Sequence, residues 1–251
     1  MPTREEELRV RRMCSMREWF PRLKETGVRV PDTEWVQIRT WEEAQEFSEG
    51  VRMPDMEPNM DAIDSVNGPP AFIRSDQASH KHGMEEASKV SSDDPEVVRD
   101  NVFELLNFNN VAGFGGLPYT HLAVREWLDL EHHFKAFKGM PVGPEVRMFL
   151  LHGEIWDWGF YWEEEAIESG YHTQDLPENW RAMLNDSLEV AKLGVEEELQ
   201  DKAKKVGEEF DEGYWSLDFA LTEDGDWYAI DMALGGASHH PPGVEKPPKP
   251  E

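Results

Sequence analysis

Two aspartates near the end of the chain are spaced so that they could share a divalent cation. They lie in the stretch LDFALTEDGDWYAIDMA, residues 217–233, where Asp224 and Gly225 form a strong hairpin signal. A two-residue turn there sets Asp218 opposite Asp231, with Cβ atoms about 5 Å apart. At an effective dielectric constant near 20, their carboxylates repel each other by roughly 3 kcal/mol. A bound Mg²⁺ would turn that repulsion into attraction.

The same register predicts the two faces of this hairpin. One face would be an apolar core face made of Phe219, Leu221, Tyr228 and Ile230. The other would carry the aspartates beside the cross-strand pairs Ala220–Ala229 and Thr222–Trp227. Two alanines next to two carboxylates make a shallow acidic floor, which suits a ligand that lies on the sheet with a divalent cation bridging it to the protein. The alternative, which stays open, is a solvated strand end where water screens the two charges.

Two cations stand out because the chain has only 25 basic residues against 52 acidic ones. Arg74 lies on the predicted strand PAFIRS, and Lys81 lies in the polar segment that follows it. Together they could hold one polyphosphate, because arginine offers a planar fork to phosphate oxygens and lysine a mobile point charge. The alternative is an ordinary charged surface loop. His80 and His82 flank Lys81, but nothing in the sequence supplies the further ligands that zinc needs.

A second hairpin is predicted around His152 and Gly153. It places Glu145, Arg147 and Phe149 on one face of its first strand. Arg147 would then reach a terminal phosphate, while Glu145 holds Arg147 or a metal ion. An internal ion pair between Glu145 and Arg147 is the alternative.

The charge balance limits the partners of the protein. A formal net charge of −27 over 251 residues repels nucleic acid and anionic membranes, so we expect neither as a partner. Such acidity also suits a halophilic source or a virus of one, since high salt screens the self-repulsion. The single cysteine, Cys14, excludes an internal disulfide and fits an inert, half-buried thiol in a reducing compartment. The charged N-terminal stretch lacks the apolar core of a signal peptide, and we expect a cytoplasmic protein.

Alternating helix and strand patterns with antiparallel hairpins predict an α+β, or mixed α/β, fold. Helices are predicted over residues 3–25, 41–50, 94–109 and 177–209, the last with a possible break at Gly194. Residues 51–69 are rich in Pro, Asp and Asn and indicate a connector. The Pro-rich stretch from residue 237 onward is expected to be a tail that does not pack.

Taken in this order, the pieces resemble an ATP-grasp protein. The order is a strand with a phosphate-binding cation, a polar loop, a hinge strand with a Glu-aromatic-Leu motif, an acid-x-Arg strand and a terminal hairpin with two acids. The resemblance implies two α+β lobes that grip ATP between them. It also implies four segments: an N-terminal α/β domain (1–69), a first lobe (70–123), a second lobe (124–240) and a flexible tail (241–251).

The resemblance also assigns roles to residues. Arg74 takes the place of the usual strand lysine, and an arginine with a nearby lysine, here Lys81, is similar to a divergent ATP-grasp clade. That clade contains the eukaryotic cell-division-cycle translation-assembly proteins and several phage families. Arg147 matches the phosphate-binding arginine. The hinge and metal positions match the following residues: Arg125, Glu126, Trp127 and Leu128 for adenine and ribose, and Asp218 and Asp231 for magnesium.

One departure concerns the terminal motif, which is usually Glu-x-Asn but here is Asp231-Met232-Ala233. Alanine cannot ligate a metal, so Ser216 or His239 would have to supply a ligand. The implied reaction is an ATP-dependent ligation, in which a carboxylate becomes an acylphosphate and an amine or other nucleophile displaces phosphate. The substrate would be a small molecule, a peptide or a protein. Nucleotide binding without ligase activity, in an assembly or regulatory factor, is the alternative.

Overall fold

The structure is a computed structural model that describes residues 4–45, 53–78, 87–111, 118–137, 139–169 and 176–248. The chain forms two compact units. Unit 1 comprises Met1–Glu18 and Pro31–Leu128, and unit 2 comprises Trp19–Val30 and Asp129–Glu251. Among the described helices, none combines the length and the apolar character that crossing a bilayer requires.

The first half of the chain contains five helices and four strands within the described residues. The helices are α1 (Arg4–Met13), α2 (Met16–Glu25), α3 (Trp41–Gln45), α4 (Met56–Ser65) and α5 (Pro95–Val111). The strands are β1 (Thr33–Gln37), β2 (Ala71–Ser75), β3 (Lys89–Val90) and β4 (His121–Glu126). They form one antiparallel sheet in unit 1, in the order β1-β4-β2-β3.

This first sheet is covered on one face by helices, because its strands alternate apolar and polar residues. Val36, Ile73 and Val124 are buried on the covered face, together with residues of α4 and α5. Helix α5 begins where the sequence predicts, since the carboxylate of Asp94 accepts a hydrogen bond from the Glu96 N–H at 2.9 Å. The opposite face of the sheet is left to the residues between the apolar ones, which include the candidate phosphate ligand Arg74.

Unit 2 contains the remaining elements. The strands are β5 (Phe134–Ala136), β6 (Met140–Val142), β7 (Glu145–Leu151), β8 (Glu154–Phe160), β9 (Tyr214–Leu221) and β10 (Trp227–Leu234). The helices are α6 (Glu164–Ser169), α7 (Trp180–Gly194) and α8 (Gln200–Glu209), with a π-helical segment, Val195–Leu199, joining α7 to α8. The main sheet is antiparallel in the order β10-β9-β7-β8, and β5 pairs with β6 in a separate ribbon.

The core of unit 2 lies between this second sheet and the helices α7 and α8. Val146 and Met148 on β7 pair with Phe219 and Leu217 on β9, and all four side chains are buried. At Gly194, where the sequence predicts a break, a Cβ atom would lie 2.5 Å from the ring of Trp227. The glycine therefore lets the indole of Trp227 pack directly on the helix.

Two predicted elements are wrong in detail. The single helix predicted over residues 3–25 is two helices, because the chain breaks at Cys14 and Ser15 before α2. The hydroxyl of Ser15 and the N–H of Met16 are bound by Asp76, which fixes the start of α2. The connector predicted over residues 51–69 contains α4, whose Ala62 and Ile63 are buried in the unit 1 core. Tertiary burial outweighs the turn-forming composition of this stretch.

The structural units do not follow the predicted segments. The boundary at residue 69 falls inside unit 1, because β1 and β2 both pair with β4 in one sheet. The boundary at residue 123 falls within β4 itself. The tail that was expected not to pack begins with residues that contact the sheet of unit 2, since the His239 carbonyl accepts a hydrogen bond from Arg147.

Candidate functional site

The two aspartates of the last hairpin are paired, as predicted, but by a different route. Asp218 on β9 lies opposite Asp231 on β10. The connecting turn has three residues rather than two, and Gly225 adopts a φ of 85° in it. The extra residue shifts the register by one, and a bulge between Ala229 and Asp231 shifts it back. Because the two irregularities cancel, the predicted pairing of Asp218 and Asp231 is confirmed.

The faces of the hairpin near its turn differ from the prediction for the same reason. Trp227 and Ala229 are buried in the core, whereas Tyr228 and Ile230 are only partly buried. The predicted pairs are wrong, and the structure has the following ones: Ala220–Tyr228, Phe219–Ala229 and Leu221–Trp227. The alanine floor is therefore absent from this hairpin, and a tyrosine lies opposite Ala220 instead.

Arg147 completes a row of three charged residues across neighbouring strands. It lies on β7 and pairs with Asp218, which in turn pairs with Asp231. The Arg147 Nε donates to Oδ1 of Asp218 at 2.7 Å, and Nη2 donates to Oδ2 at 2.7 Å. This is a bidentate contact, the strongest geometry of an arginine–carboxylate pair. Glu145 was expected to hold Arg147, but the structure gives that place to Asp218.

The guanidinium of Arg147 is held on two further sides. Its Nη1 donates to the carbonyl oxygen of His239 at 3.0 Å, and its central carbon lies 4.8 Å from the ring centroid of Tyr161. The side chains of Arg147 and Asp218 are only 12% and 3% exposed. Burial alone would lower the pKa of Arg147, but the charge and hydrogen bonds of Asp218 outweigh it and the pKa is raised. Arg147 therefore stays charged and offsets the repulsion within the aspartate pair.

The surroundings of Asp231 decide what else could contribute to a metal site. One carboxylate oxygen of Asp231 accepts a hydrogen bond from the Met232 N–H at 2.9 Å. Ala233 lies opposite Ser216, as predicted, and the Ser216 hydroxyl lies 2.6 Å from the hydroxyl of Ser238. The ring of His239 contacts Glu163. Within the part of the chain that the structure describes, no three His, Cys, Asp or Glu side chains cluster in a way that could hold a metal ion.

Unit 1 has its own group of candidate ligands on the uncovered face of its sheet. Arg74 pairs with Ala123, and the neighbouring Phe72 pairs with Arg125, so both arginines lie on this face. Each is buried, with 6% of Arg74 and 4% of Arg125 exposed. The Nε of Arg74 donates to the Ser75 carbonyl oxygen at 3.2 Å. Two arginines on one sheet face are unusual in a chain this acidic, and they support the predicted cationic character of this strand.

The predicted hinge lies at the end of β4. The N–H of Glu126 donates to the carbonyl oxygen of Asp32 at 2.9 Å, so this amide is used within unit 1. Trp127 and Leu128 follow the strand. The ammonium of Lys89 lies 5.0 Å from the ring centroid of Trp127. Sequence reasoning missed Lys89, although it is the only Lys or Arg between Lys81 and Arg99.

Several predicted features lie outside the described residues. Lys81, with the neighbouring His80 and His82, falls within residues 79–86. Most of the glycine-rich stretch before β4 falls within residues 112–117. The proposed role of Lys81 therefore stays a prediction from the sequence.

A buried carboxylate in unit 1 has a structural role that the sequence did not indicate. Asp76 follows β2 and is fully buried. It accepts hydrogen bonds from the Ser15 hydroxyl at 2.8 Å, the Thr120 hydroxyl at 2.9 Å and the Thr120 N–H at 2.9 Å. The pKa of His121 beside it is lowered, chiefly by burial. Since its acceptors are so well used, Asp76 ties α2 to the sheet rather than serving as a ligand.

A Ser–His–Glu arrangement in unit 2 does not form a nucleophile. The Ser187 hydroxyl lies 2.7 Å from Nδ1 of His133, and Nε2 of His133 lies 3.7 Å from Glu131. Ser187 is completely buried, and its hydroxyl also donates to the carbonyl oxygen of Met183 at 3.1 Å. Because no substrate carbonyl can reach a fully buried hydroxyl, this group fixes α7 and is not a covalent catalyst.

Comparison with known families supplies a match for most of the chain. A family described as an ATP-grasp domain, the third family of its clade, matches residues 65–247. The matched range includes Arg74 in unit 1 and Arg147, Asp218 and Asp231 in unit 2. A search of curated proteins finds no significant match.

Solved structures share the fold at low sequence identity. C-terminally truncated Cdc123 from Schizosaccharomyces pombe matches with a TM-score of 0.53 and 13% identity, over 90% of this chain and 85% of that one. The ADP complex of purK, an N5-carboxyaminoimidazole ribonucleotide synthetase, matches with a TM-score of 0.47 and 12% identity, over 88% of this chain and 44% of that one. The ligase PsnB, complexed with a precursor peptide and AMPPNP, gives 0.42 and 12%, over 87% and 49%. The chain thus spans less than half the length of the two synthetase and ligase structures.

Proposed function

The chain belongs to the ATP-grasp domain family that it matches over residues 65–247, and on that premise we propose that it is an ATP- and Mg²⁺-dependent ligase. It would activate a carboxylate as an acylphosphate, which an amine or another nucleophile then attacks. The γ-phosphoryl group moves from ATP to the carboxylate oxygen, ADP leaves, and the nucleophile finally displaces inorganic phosphate. No step needs a covalent bond to the protein, so the protein acts by positioning and by charge neutralisation.

The observation that carries the proposal is the row Arg147–Asp218–Asp231. The contacts of Arg147 with Asp218 and His239 use three of its N–H groups. A guanidinium has five such groups, so two remain for phosphate oxygens. The bidentate contact fixes the plane of the guanidinium before any ligand arrives, which lowers the entropy that phosphate binding would cost. Arg147 is therefore suited to bind a terminal phosphate.

The two aspartates fit a magnesium ion. Each ionised carboxylate has about four lone-pair sites, so Asp218 can contact Arg147 and still offer an oxygen to a cation. Mg²⁺ is commonly held by one or two carboxylates, with phosphate oxygens and water completing its octahedron. Asp218 and Asp231 would thus hold the ion together with ATP, and the ion would neutralise charge on the transferring phosphoryl group. The bound ion also lowers the charge of the nucleotide, which eases its approach to a chain with a net charge of −27.

Residues of unit 1 complete the proposal. Arg74 and Lys81 would bind the inner phosphates, and residues 125–128 would bind adenine and ribose through backbone groups and the Glu126 carboxylate. Glu145, which is buried at the start of β7, contributes to the raised pKa of Arg147. We assign Glu145 the role of keeping Arg147 charged beside the nucleotide.

The substrate class follows from the same chemistry. A carboxylate and an amine or other nucleophile must be present, on a small molecule, a peptide or a protein. Strong negative charge argues against nucleic acid and membrane partners and for a cytoplasmic protein. The acidic segment before α7 favours an acceptor that carries a positive charge or an amine.

One observation favours a second candidate, a nucleotide-binding assembly or regulatory factor without ligase activity. Ala233 stands where the usual motif has a metal-binding asparagine, and the described residues hold no group of three metal ligands. A site with two aspartates binds one ion more readily than two. Nucleotide binding would then persist while phosphoryl transfer is slow.

Two measurements separate these candidates. Calorimetric titration with ATP tests nucleotide binding, and we expect binding in the presence of Mg²⁺ that is lost when EDTA replaces the metal. No binding of millimolar ATP in either condition would reject both candidates. ADP release on adding panels of carboxylates and amines then distinguishes them: turnover that needs both substrates supports a ligase, whereas binding without turnover supports the assembly factor.

A further inference from the structure

Residues 238–245, which we name the C-terminal strap, pack along the sheet of unit 2. Near one end, Pro241 and Val244 lie so close to Gly159 that a Cβ atom there would be 2.9 and 2.8 Å from their side chains. At the other end of β8, Trp156 Nε1 donates to the Glu245 carbonyl oxygen at 2.8 Å. The Glu245 N–H donates to the carboxylate of Asp157 at 2.8 Å. The strap is therefore bonded to β8 through its main chain as well as through side chains.

The middle of the strap is anchored by His240. Its ring stacks on Phe149, with centroids 4.4 Å apart and planes 16° from parallel. Nδ1 of His240 lies 3.0 Å from the Ser238 carbonyl oxygen, which can only accept, so Nδ1 carries the proton. Nε2 therefore presents a lone pair and accepts from the hydroxyl of Tyr214 at 2.8 Å. Both ring nitrogens and one ring face are thus engaged.

This anchor lies next to the group that holds Arg147. The carbonyl oxygen bonded to Arg147 Nη1 belongs to His239, the residue directly before His240. A carbonyl one peptide away from a ring held on three sides has little freedom to move. Asp218 fixes one edge of the guanidinium, and this carbonyl fixes a second point on it. Two points of contact at different nitrogens determine where the remaining N–H groups are directed.

We propose that His240 is a positioning residue for Arg147, which it orients toward phosphate through the C-terminal strap and its bond to Tyr214. The inference rests on the proposed function, since it gives Arg147 a phosphate to bind. His240 itself would not touch the nucleotide. Its loss would leave the Asp218 contact intact but allow the guanidinium to turn about that contact. Affinity for the polyphosphate would fall, while affinity for the nucleoside would stay the same.

A double-mutant cycle in the full chain tests this inference. The affinities of MgATP and of adenosine are measured calorimetrically for the wild type, Arg147→Met, His240→Ala and the double variant. We expect Arg147→Met to weaken MgATP binding at least tenfold and His240→Ala about fivefold, with adenosine unchanged in both. The double variant should bind MgATP no more weakly than Arg147→Met alone, because His240 acts through Arg147.

Two further variants make the test robust. Tyr214→Phe keeps the aromatic ring beside Phe149 and removes only the hydroxyl, so it should fold and should weaken MgATP binding in the same direction as His240→Ala. Lys246→Ala, just beyond the strap, is the matched control and should leave the affinity unchanged.

The failures are distinguishable. If Arg147→Met leaves MgATP affinity within twofold of the wild type, the proposed phosphate site is wrong, and the inference is overturned with it. If Arg147→Met weakens binding but His240→Ala and Tyr214→Phe do not, only the positioning role is overturned. Additive losses in the double variant would also overturn it, because they would show that His240 acts independently of Arg147.

Discussion

Removing the carboxylate of Asp218 should destabilise unit 2 far more than removing a surface acid. In the native protein this side chain is 3% exposed and forms two 2.7 Å hydrogen bonds with Arg147, which is 12% exposed. Replacing Asp218 with leucine leaves the Arg147 cation buried without its charged partner. The loss of one member of a buried pair costs about 3–5 kcal/mol. Replacing both members with apolar residues removes the stranded charge, so Asp218→Leu/Arg147→Met should cost less than Asp218→Leu alone.

The free energy of unfolding is measured by urea titration, with hydrogen exchange of β7 and β9 amides to localise the change to unit 2. Arg181 and Glu164 provide the matched control, since they form a salt bridge with side chains 49% and 54% exposed. Glu164→Leu should change stability by less than about 1 kcal/mol. A cost below about 1 kcal/mol for Asp218→Leu, or a double variant whose cost equals the sum of the singles, would refute the buried pair.

The remaining predictions concern the metal, the phosphates and one tyrosine. Asp231→Asn should weaken Mg²⁺-dependent ATP binding about tenfold or more without unfolding the protein, and unchanged affinity in calorimetry would count against the metal site. Lys81→Ala should weaken ATP binding about tenfold and adenosine binding hardly at all, whereas equal losses would remove Lys81 from the phosphate contacts. The pKa of Tyr214 is raised from 10.0 to about 12, by burial and by the charge of Asp157. Its phenol stays protonated in the folded state after the unfolded one has ionised, so stability should fall as the pH rises from 10 to about 12. Absorbance titration at alkaline pH should show one late phenol that Tyr214→Phe removes, and its persistence in that variant would contradict the assignment.

Local patterns in the sequence predicted much of the candidate site. The turn at His152 and Gly153 is confirmed, with both residues at positive φ and Leu151 paired with Glu154. The predicted common face of Glu145 and Arg147 follows from that hairpin and is also confirmed. Such features depend only on turn chemistry and on the two-residue period of a strand, both of which can be read from a few neighbouring residues.

The partner of Arg147 could not be predicted, because it depends on which strands become neighbours. Strand β7 lies beside β9 although 62 residues separate Leu151 from Tyr214 along the chain. Without knowledge of that pairing, Asp218 lacked a counter-charge, and Glu145 was the nearest acid to Arg147. The bulge in β10 and the packing of the strap on Phe149 are likewise long-range effects, since each depends on side chains that are distant in sequence.

A crystal structure with Mn²⁺ in place of Mg²⁺ and a non-hydrolysable ATP analogue tests the central claim most directly. The account predicts an anomalous Mn²⁺ peak within about 2.2 Å of carboxylate oxygens of Asp218 and Asp231. It also predicts a phosphate oxygen within hydrogen-bond distance of the Arg147 guanidinium, whose contact with Asp218 is kept. Manganese and phosphates bound elsewhere, with Asp231 facing only solvent, would contradict the account.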